Sequence, residues 1–249
     1  MAECWLSSAS GFSVTELFQY LDAAEQCSGA VREQQAIALG RCAEIDALLV
    51  RASSLPPKTI PVAGLLKMSA RGMFFASVRT ALTGYRAALF PTLRASLEAA
   101  CYAQEVEEHP ELSDIWMSRH KSEEARKQCR KKFSDAVPHC CDRLGQRMPD
   151  NARLIRSVYD HMIDDGAHPN VRSIVPGLHF EDKEDVVELS LGFVVPEQVR
   201  NSLFCCYEIG LFTAWVMGNV EPMDHDFWIE ASRLNDQKND WEAEIQSDS

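Results

Sequence analysis

The side chains best equipped for chemistry lie close together at residues 160–168, DHMIDDGAH. On a helix His161, Asp164, Asp165 and, if the last turn holds, His168 fall within about 100° of one face. Imidazole and carboxylate are ligands that suit zinc, iron or manganese. A metal site in a bundle needs more carboxylates from a facing helix, and Glu98 and Glu105 are the candidates. The Glu-x-x-His pairs of di-iron bundles are missing, because Glu105 and His109 stand four apart. The competing reading is a polar helix end whose acids and His168 orient the turn Gly166-Ala167-His168-Pro169-Asn170.

Two further constellations carry charge. Arg94 and Glu98 stand at i, i+4, so they touch on one helix face, either as a solvated ion pair or as a buried or nucleic-acid-binding pair. Residues 119–132, RHKSEEARKQCRKK, hold seven Lys/Arg and two Glu, a net +5. This run has few aromatics, so it lacks the stacking platforms of single-strand binders. It reads as a solvated helix surface or a contact for the acidic C-terminus, where residues 221–249 carry a net −7. The sequence holds no G-x-S-x-G, no phosphate loop and no G-x-G-x-x-G, so no cofactor is expected.

The elements that position these groups are mostly helical. Ser13 and Glu16 have capping-box spacing, and Val31, Ala38, Cys42, Ile45 and Leu49 continue a helix to about Arg51. Ser53–Pro57 ends it. A second helix runs from Pro61 to about Leu89 on the stripe Phe74, Val78, Ala81, Leu82, Tyr85. Pro91 then kinks or restarts it, and Leu93, Leu97 and Ala100 carry it on to about Glu107. Short helices are expected at Glu111–Met117, at Glu123–Phe133 and after Pro138, with a longer one at Asp150–Asp165 capped by Gly166.

The period changes to two at Val187, Leu189, Leu191 and Phe193, a half-buried strand. Its expected partner is Ile174–Phe180, across a turn at Glu181–Asp185. Pro196 suits the first turn of the next helix, which runs to about Gly218 and is apolar nearly all round, the mark of a central helix. Phe227–Glu244 reads as a final acidic helix, with Gln246–Ser249 frayed.

With 46% hydrophobic residues the chain can build a packed core, and a net charge of −12 argues against nucleic-acid binding over the whole surface. The nine cysteines show no C-x-x-C spacing, and no basic, apolar leader precedes them. Reduced thiols in a cytoplasmic protein are therefore expected. Leu203–Gly218 is too short and carries Glu208, so a core helix is expected there and not a membrane span.

At residues 84–99, GYRAALFPTLRASLEA, a Gly-Tyr turn is followed by small residues and an Arg-x-x-x-Glu helix. This run, with ELSDIWMSRHK and the later GAHPN, resembles uncharacterised bacterial helical-bundle proteins distantly similar to the HEPN superfamily. The resemblance covers about residues 65–175 and implies an antiparallel helical bundle, often dimeric. It leaves activity open; the candidate binding residues in this stretch are Arg94, Glu98, His168 and Asn170. HEPN ribonucleases carry Arg-x(4–6)-His, and Arg156 and His161 fit with four residues between them. In that family the Arg and His of two subunits face a shared groove, where they position RNA and stabilise charge as the 2′-oxygen attacks. The family often has Asn, Asp or His directly after the Arg, whereas Ser157 stands here.

The expectation is a mainly α, single-domain antiparallel helical bundle. It has one β-hairpin at about 172–194, a core bundle over about 13–220 and an acidic helical segment at about 221–245. The leading function is a cytoplasmic bundle acting through protein or nucleic-acid contacts, as a homodimer with an RNA or protein partner and no membrane. The rivals are a HEPN-like metal-independent ribonuclease of defence or toxin–antitoxin type, using Arg156 and His161, and a metal-dependent bundle enzyme.

Overall fold

In the computed structural model, which describes residues 14–54, 60–85, 88–166, 178–183, 186–191, 198–219 and 224–247, the architecture is mainly helical. The first expected helix is two, α1 (Val14–Gln34) and α2 (Ala36–Ser53). They meet at Gln35, whose φ of −102° and ψ of 26° leave the helical region. The backbone ladder persists on both sides, from Gln35 N–H to Val31 O and from Leu39 N–H to Gln35 O, so the chain bends there without a loop. The capping residue Ser13 lies outside the described residues.

Helix α3 (Pro61–Leu82) carries Pro61 in its first turn, where a missing N–H costs nothing. It stops at Leu82, well short of Leu89. The break belongs to Gly84 and not to Pro91. Gly84 has φ 72°, which glycine adopts without the Cβ clash, and its N–H closes on Ala81 O at 3.0 Å. Thr83 adds a side-chain bond to Thr80 O. Pro91 instead falls in the first turn of α4 (Leu89–Glu108), where it breaks no ladder.

Three short helices follow: α5 (Leu112–Met117), α6 (Glu123–Phe133) and α7 (Ala136–Gly145), with Pro138 inside the first turn of α7. Helix α6 is capped by Ser122, whose Oγ accepts the Ala125 N–H at 3.1 Å. Its two acids sit in the first turn and three of its five bases in the last, as the helix dipole favours. Ser122→Ala is expected to lose about 1 kcal/mol of stability, seen as a lower urea midpoint at unchanged slope.

Helix α8 (Pro149–Gly166) precedes two antiparallel strands, β1 (Leu178–Lys183) and β2 (Val186–Leu191), paired from Leu178↔Leu191 to Lys183↔Val186. The ladder therefore runs through Glu181–Lys183, where the sequence reads as turn. The chain closes with α9 (Val199–Gly218) and α10 (His225–Ser247), the latter longer than the acidic pattern suggests. Pro196 lies outside the described residues.

Helix α9 is the hub. Every residue from Ile209 to Gly218 is buried, and the helix packs against α2, α3, α4 and α10. Packing explains the glycine at 210. A Cβ there would lie 2.6 Å from Ile45 Cγ2 and 2.7 Å from Phe74 Cε2, so only glycine lets α2 and α3 approach. One core cluster runs from Val31 on α1 to Trp241 on α10. A smaller one gathers Leu66, Val106, Leu112 and Phe133 where α3 and α4 meet α5 and α6.

Helix α10 runs antiparallel to α2, bridged by Arg41–Glu244 at one end and Arg51–Asp224 at the other. The described cysteines are free thiols. Among the described residues no helix is long and apolar enough to cross a membrane.

Candidate functional site

Arg94 and Glu98 face α8 from the middle of α4. Arg94 Nε lies 3.1 Å from Glu98 Oε1, and the same oxygen accepts a 2.8 Å bond from the Tyr159 hydroxyl. Burial, reinforced by the Glu98 carboxylate, raises the Tyr159 pKa and keeps the phenol a donor. The pair is half-buried, and its job in this geometry is to tie α8 to α4.

Glu105, about two turns beyond Glu98 on α4, turns away from α8. It turns to α7, where its buried carboxylate meets the Arg143 guanidinium and, at 3.2 Å, His139 Nδ1. Arg143 also reaches Gln104 Oε1 and the Cys140 sulfur, and Gln104 Nε2 donates to Asn219 O at 3.0 Å. This network joins α4, α7 and the end of α9. The sequence signal for it is weak: Gln104 and Glu105 are polar residues at positions where an apolar stripe continues.

Buried charge elsewhere is handled the same way. Lys67 on α3, 1% exposed, lies 2.7 Å from Glu107 on α4, and Lys238 on α10 lies 3.5 Å from Glu208 on α9. A buried charge left alone is costly, so opposite charges on facing helices satisfy one another and fix which helices meet.

Arg156 and His161 sit on different sides of α8, as five residues of helix require. Arg156 Nη2 donates to Asp142 Oδ1 at 2.9 Å and to Pro138 O at 3.2 Å, and the Asp142 hydrogen bond holds its guanidinium pKa above the usual value. It lines a groove of about 470 Å3 between α7 and α8, together with Arg153, Gln146 and Cys141. Burial pushes the Cys141 thiol up to about 11, so it stays protonated and is a poor nucleophile. Arg153 bonds Asp150, so both arginines of the groove carry an acidic partner.

His161 is exposed and is not among the groove's lining residues. Its Nδ1 donates to Ser157 O at 2.7 Å, one turn back on the same helix. Asp164 is also exposed. His168 and Asn170 lie outside the described residues, as does the side chain of Asp165. Among the described residues no three His, Cys, Asp or Glu groups converge as metal ligands.

Basic α6 turns its charges outward and anchors itself through Cys129 and Phe133, the latter stacked on Tyr102 with ring centroids 4.5 Å apart.

The surface feature that sequence reasoning missed is on α3. Its buried stripe, Leu66, Ala70, Phe74 and Ser77, leaves an opposite face of Leu65, Met68, Gly72 and Phe75. Met68 is 69% exposed, Leu65 54% and Phe75 48%. From Pro61 to Ala76 the charged side chains are Lys67, which is buried, and Arg71, which bonds Asp46 and lies over the Phe75 ring. A solvated helix face normally carries charge, and over four turns this one presents no unpaired charged side chain. The signal was present in the alternating three- and four-residue spacing of 65, 68, 72 and 75, which stands beside the stripe that forms the core.

Comparison with family models, with curated proteins and with solved structures finds no match to this chain.

Proposed function

We propose that this chain is a helical-bundle interaction protein that docks another protein on the outer face of α3. The observation that carries the reading is that face: apolar, Met- and Phe-bearing, and free of unpaired charge, the composition found at the centre of protein interfaces. The buried ionisable groups fit the same reading. Lys67, Glu105 and Lys238 are each committed to an opposite charge that holds helices together.

The test compares tagged wild-type chain with Phe75→Glu. Partners held by the wild type, a second copy of the chain included, are expected to be lost from the variant while its helical circular-dichroism signal persists. Retention of every partner by the variant overturns the reading.

One observation favours a second reading, the HEPN-like metal-independent ribonuclease. Arg156 lines a groove beside a second arginine, Arg153, and a backbone phosphate that displaced their aspartate partners, Asp142 and Asp150, is a ligand guanidinium groups take. On this reading the chain cleaves single-stranded RNA without added metal. Arg156→Ala and His161→Ala each slow cleavage roughly a hundredfold, the loss expected when one preorganised group is removed. RNA that stays intact in the wild type, or cleavage that survives both changes, ends it.

A further inference from the structure

We propose that the protein docked on the α3 face is a second copy of this chain, packed antiparallel about a two-fold axis with Phe75 of each copy over Gly72 of the other. The inference rests on the reading of this face as a docking surface and adds the identity of its occupant.

Pattern comes first. Leu65, Met68, Gly72, Phe75 and Arg79 follow the a and d positions of a heptad, the spacing that keeps one seam of a helix against a neighbour. When two such seams run in opposite directions, position 72 of one meets 75 of the other and 68 meets 79. The large side chain then falls opposite the missing one, twice by symmetry. Met68 lies along the aliphatic stem of Arg79, which can keep its head group in water. A contact in which one patch meets itself is what a two-fold dimer requires.

Gly72 is the second argument. A Cβ built there meets nothing within 4 Å, so packing inside the chain does not ask for glycine. Gly29 and Gly40 are equally open, whereas at Gly210 Ile45 and Phe74 leave no room for a Cβ, so what sets Gly72 apart is its place in the apolar face. A mid-helix glycine costs stability relative to alanine, and close approach of another element is a physical reason to keep it. Gly72 lies at the middle of the exposed arc, flanked by Met68 and Phe75, where a neighbouring aromatic ring would seat.

Charge selects the occupant. At −12, two copies repel each other at a distance, so they associate only through a surface that adds no further repulsion. The α3 face meets that condition: Arg71 is bound to Asp46 and Arg79 to Glu25 within the chain. A partner recognised by opposite charge would find the basic α6 or the acidic α10 instead. The exposed apolar side chains of the face amount to on the order of 400 Å2, and with their polar flanks they approach the roughly 800 Å2 per partner of a stable interface.

The test is sedimentation equilibrium of the full chain at micromolar concentration. The expected mass is twice the 27.9 kDa of one chain. Phe75→Glu is expected to weaken the dimer by on the order of a hundredfold or more, since it removes the aromatic anchor from each copy and places two carboxylates in the apolar seam. Ile37→Glu and Ile229→Glu, at exposed apolar positions on α2 and α10, leave the dimer intact. Gly72→Leu separates assembly from folding: it strengthens the isolated helix, so the helical circular-dichroism signal persists, yet it fills the hollow and weakens association.

A photo-crosslinking residue at position 75, in a mixture of isotopically light and heavy chains, completes the test. It is expected to give light–heavy crosslinks to the segment that contains Gly72. A wild-type monomer, a Gly72→Leu dimer of undiminished affinity, or crosslinks confined within one chain would each overturn the dimer. If the dimer fails while Phe75→Glu still abolishes binding of a different protein, the docking reading survives and only the identity of the partner is lost.

Discussion

Phe74→Ala is expected to lower the stability of the chain by about 3–5 kcal/mol, read as a fall in the urea midpoint at unchanged slope. Phe74 is 1% exposed and lies where α3 meets the hub helix, its ring edge against Gly210. Removing the ring forfeits its transfer energy and leaves a hollow that three helices cannot jointly collapse into. The same contact sets the sign at Gly210. On an open helix Gly→Ala gains about 1 kcal/mol, and Gly40, with nothing within 4 Å, should show that gain. Gly210→Ala should instead lose about 1–3 kcal/mol, because the new methyl overlaps Phe74 and Ile45. In the Phe74→Ala background one of those two overlaps is gone, so Gly210→Ala costs less there. A double-mutant cycle should return a coupling of about 0.5–3 kcal/mol in that sense. Strict additivity would mean that the ring does not set the distance between α3 and α9.

The hub itself was legible. Residues 203–218 are apolar around the whole helix, and a helix with no polar face has nowhere to go but the centre. Helix α6 was legible to the residue, because its cap Ser122, its leading Glu123 and Glu124 and its trailing Arg130–Lys132 all agree. The joints were harder. Pro91 is a stronger helix breaker than Gly84 when each is read alone. Which one ends a helix depends on where the first turn falls, and Pro91 falls in a first turn that asks for no donor. The bend at Gln35 has no local signal at all, for the ladder continues through it.

The polar sites divide in the same way. The spacing of Arg94 and Glu98 dictated their contact, since i, i+4 geometry is local. Glu105 was read toward His161, but its true partners, Arg143 and His139, come from a helix nearly forty residues on. No periodicity along α4 could name them. The separation of Arg156 from His161 follows from helical spacing alone, whereas the bond of Arg156 to Asp142 required α7 and α8 to be placed side by side. The α3 face shows the opposite failure. Its residues are all in one helix and their spacing is regular, but the stripe that builds the core runs beside it and absorbs the same pattern.

Lys238→Met is expected to cost about 3–5 kcal/mol at neutral pH, and the loss should shrink as the solution is acidified. Lys238, 5% exposed, faces Glu208 at 3.5 Å and Glu242 at 3.3 Å, and Glu208 lies mostly buried on the hub helix. Burial raises the Glu208 pKa above the usual carboxylate value, while Lys238 pulls it back down. A carboxylate raised in the folded state favours folding while it is protonated, and that contribution fades as pH climbs through its folded pKa. Without the ammonium the folded pKa rises further, so at neutral pH the variant must either bury a bare carboxylate or take up a proton. Nearer pH 5 the proton is cheaply supplied, and the deficit relative to wild type narrows.

The comparison has to be made as a difference between the two chains. Asp224, Glu230 and Glu244 have lowered pKa values, held chiefly by the Phe227 N–H, Arg233 and Arg41 respectively, and both chains lose those contributions as pH falls. Adding Glu208→Met to Lys238→Met removes the stranded charge, so most of the stability should return and the difference should become flat with pH. A Lys238→Met deficit that is the same at pH 5 and pH 7 would place the loss in packing of the lysine stem, and the ion pair between α9 and α10 would then contribute nothing of its own.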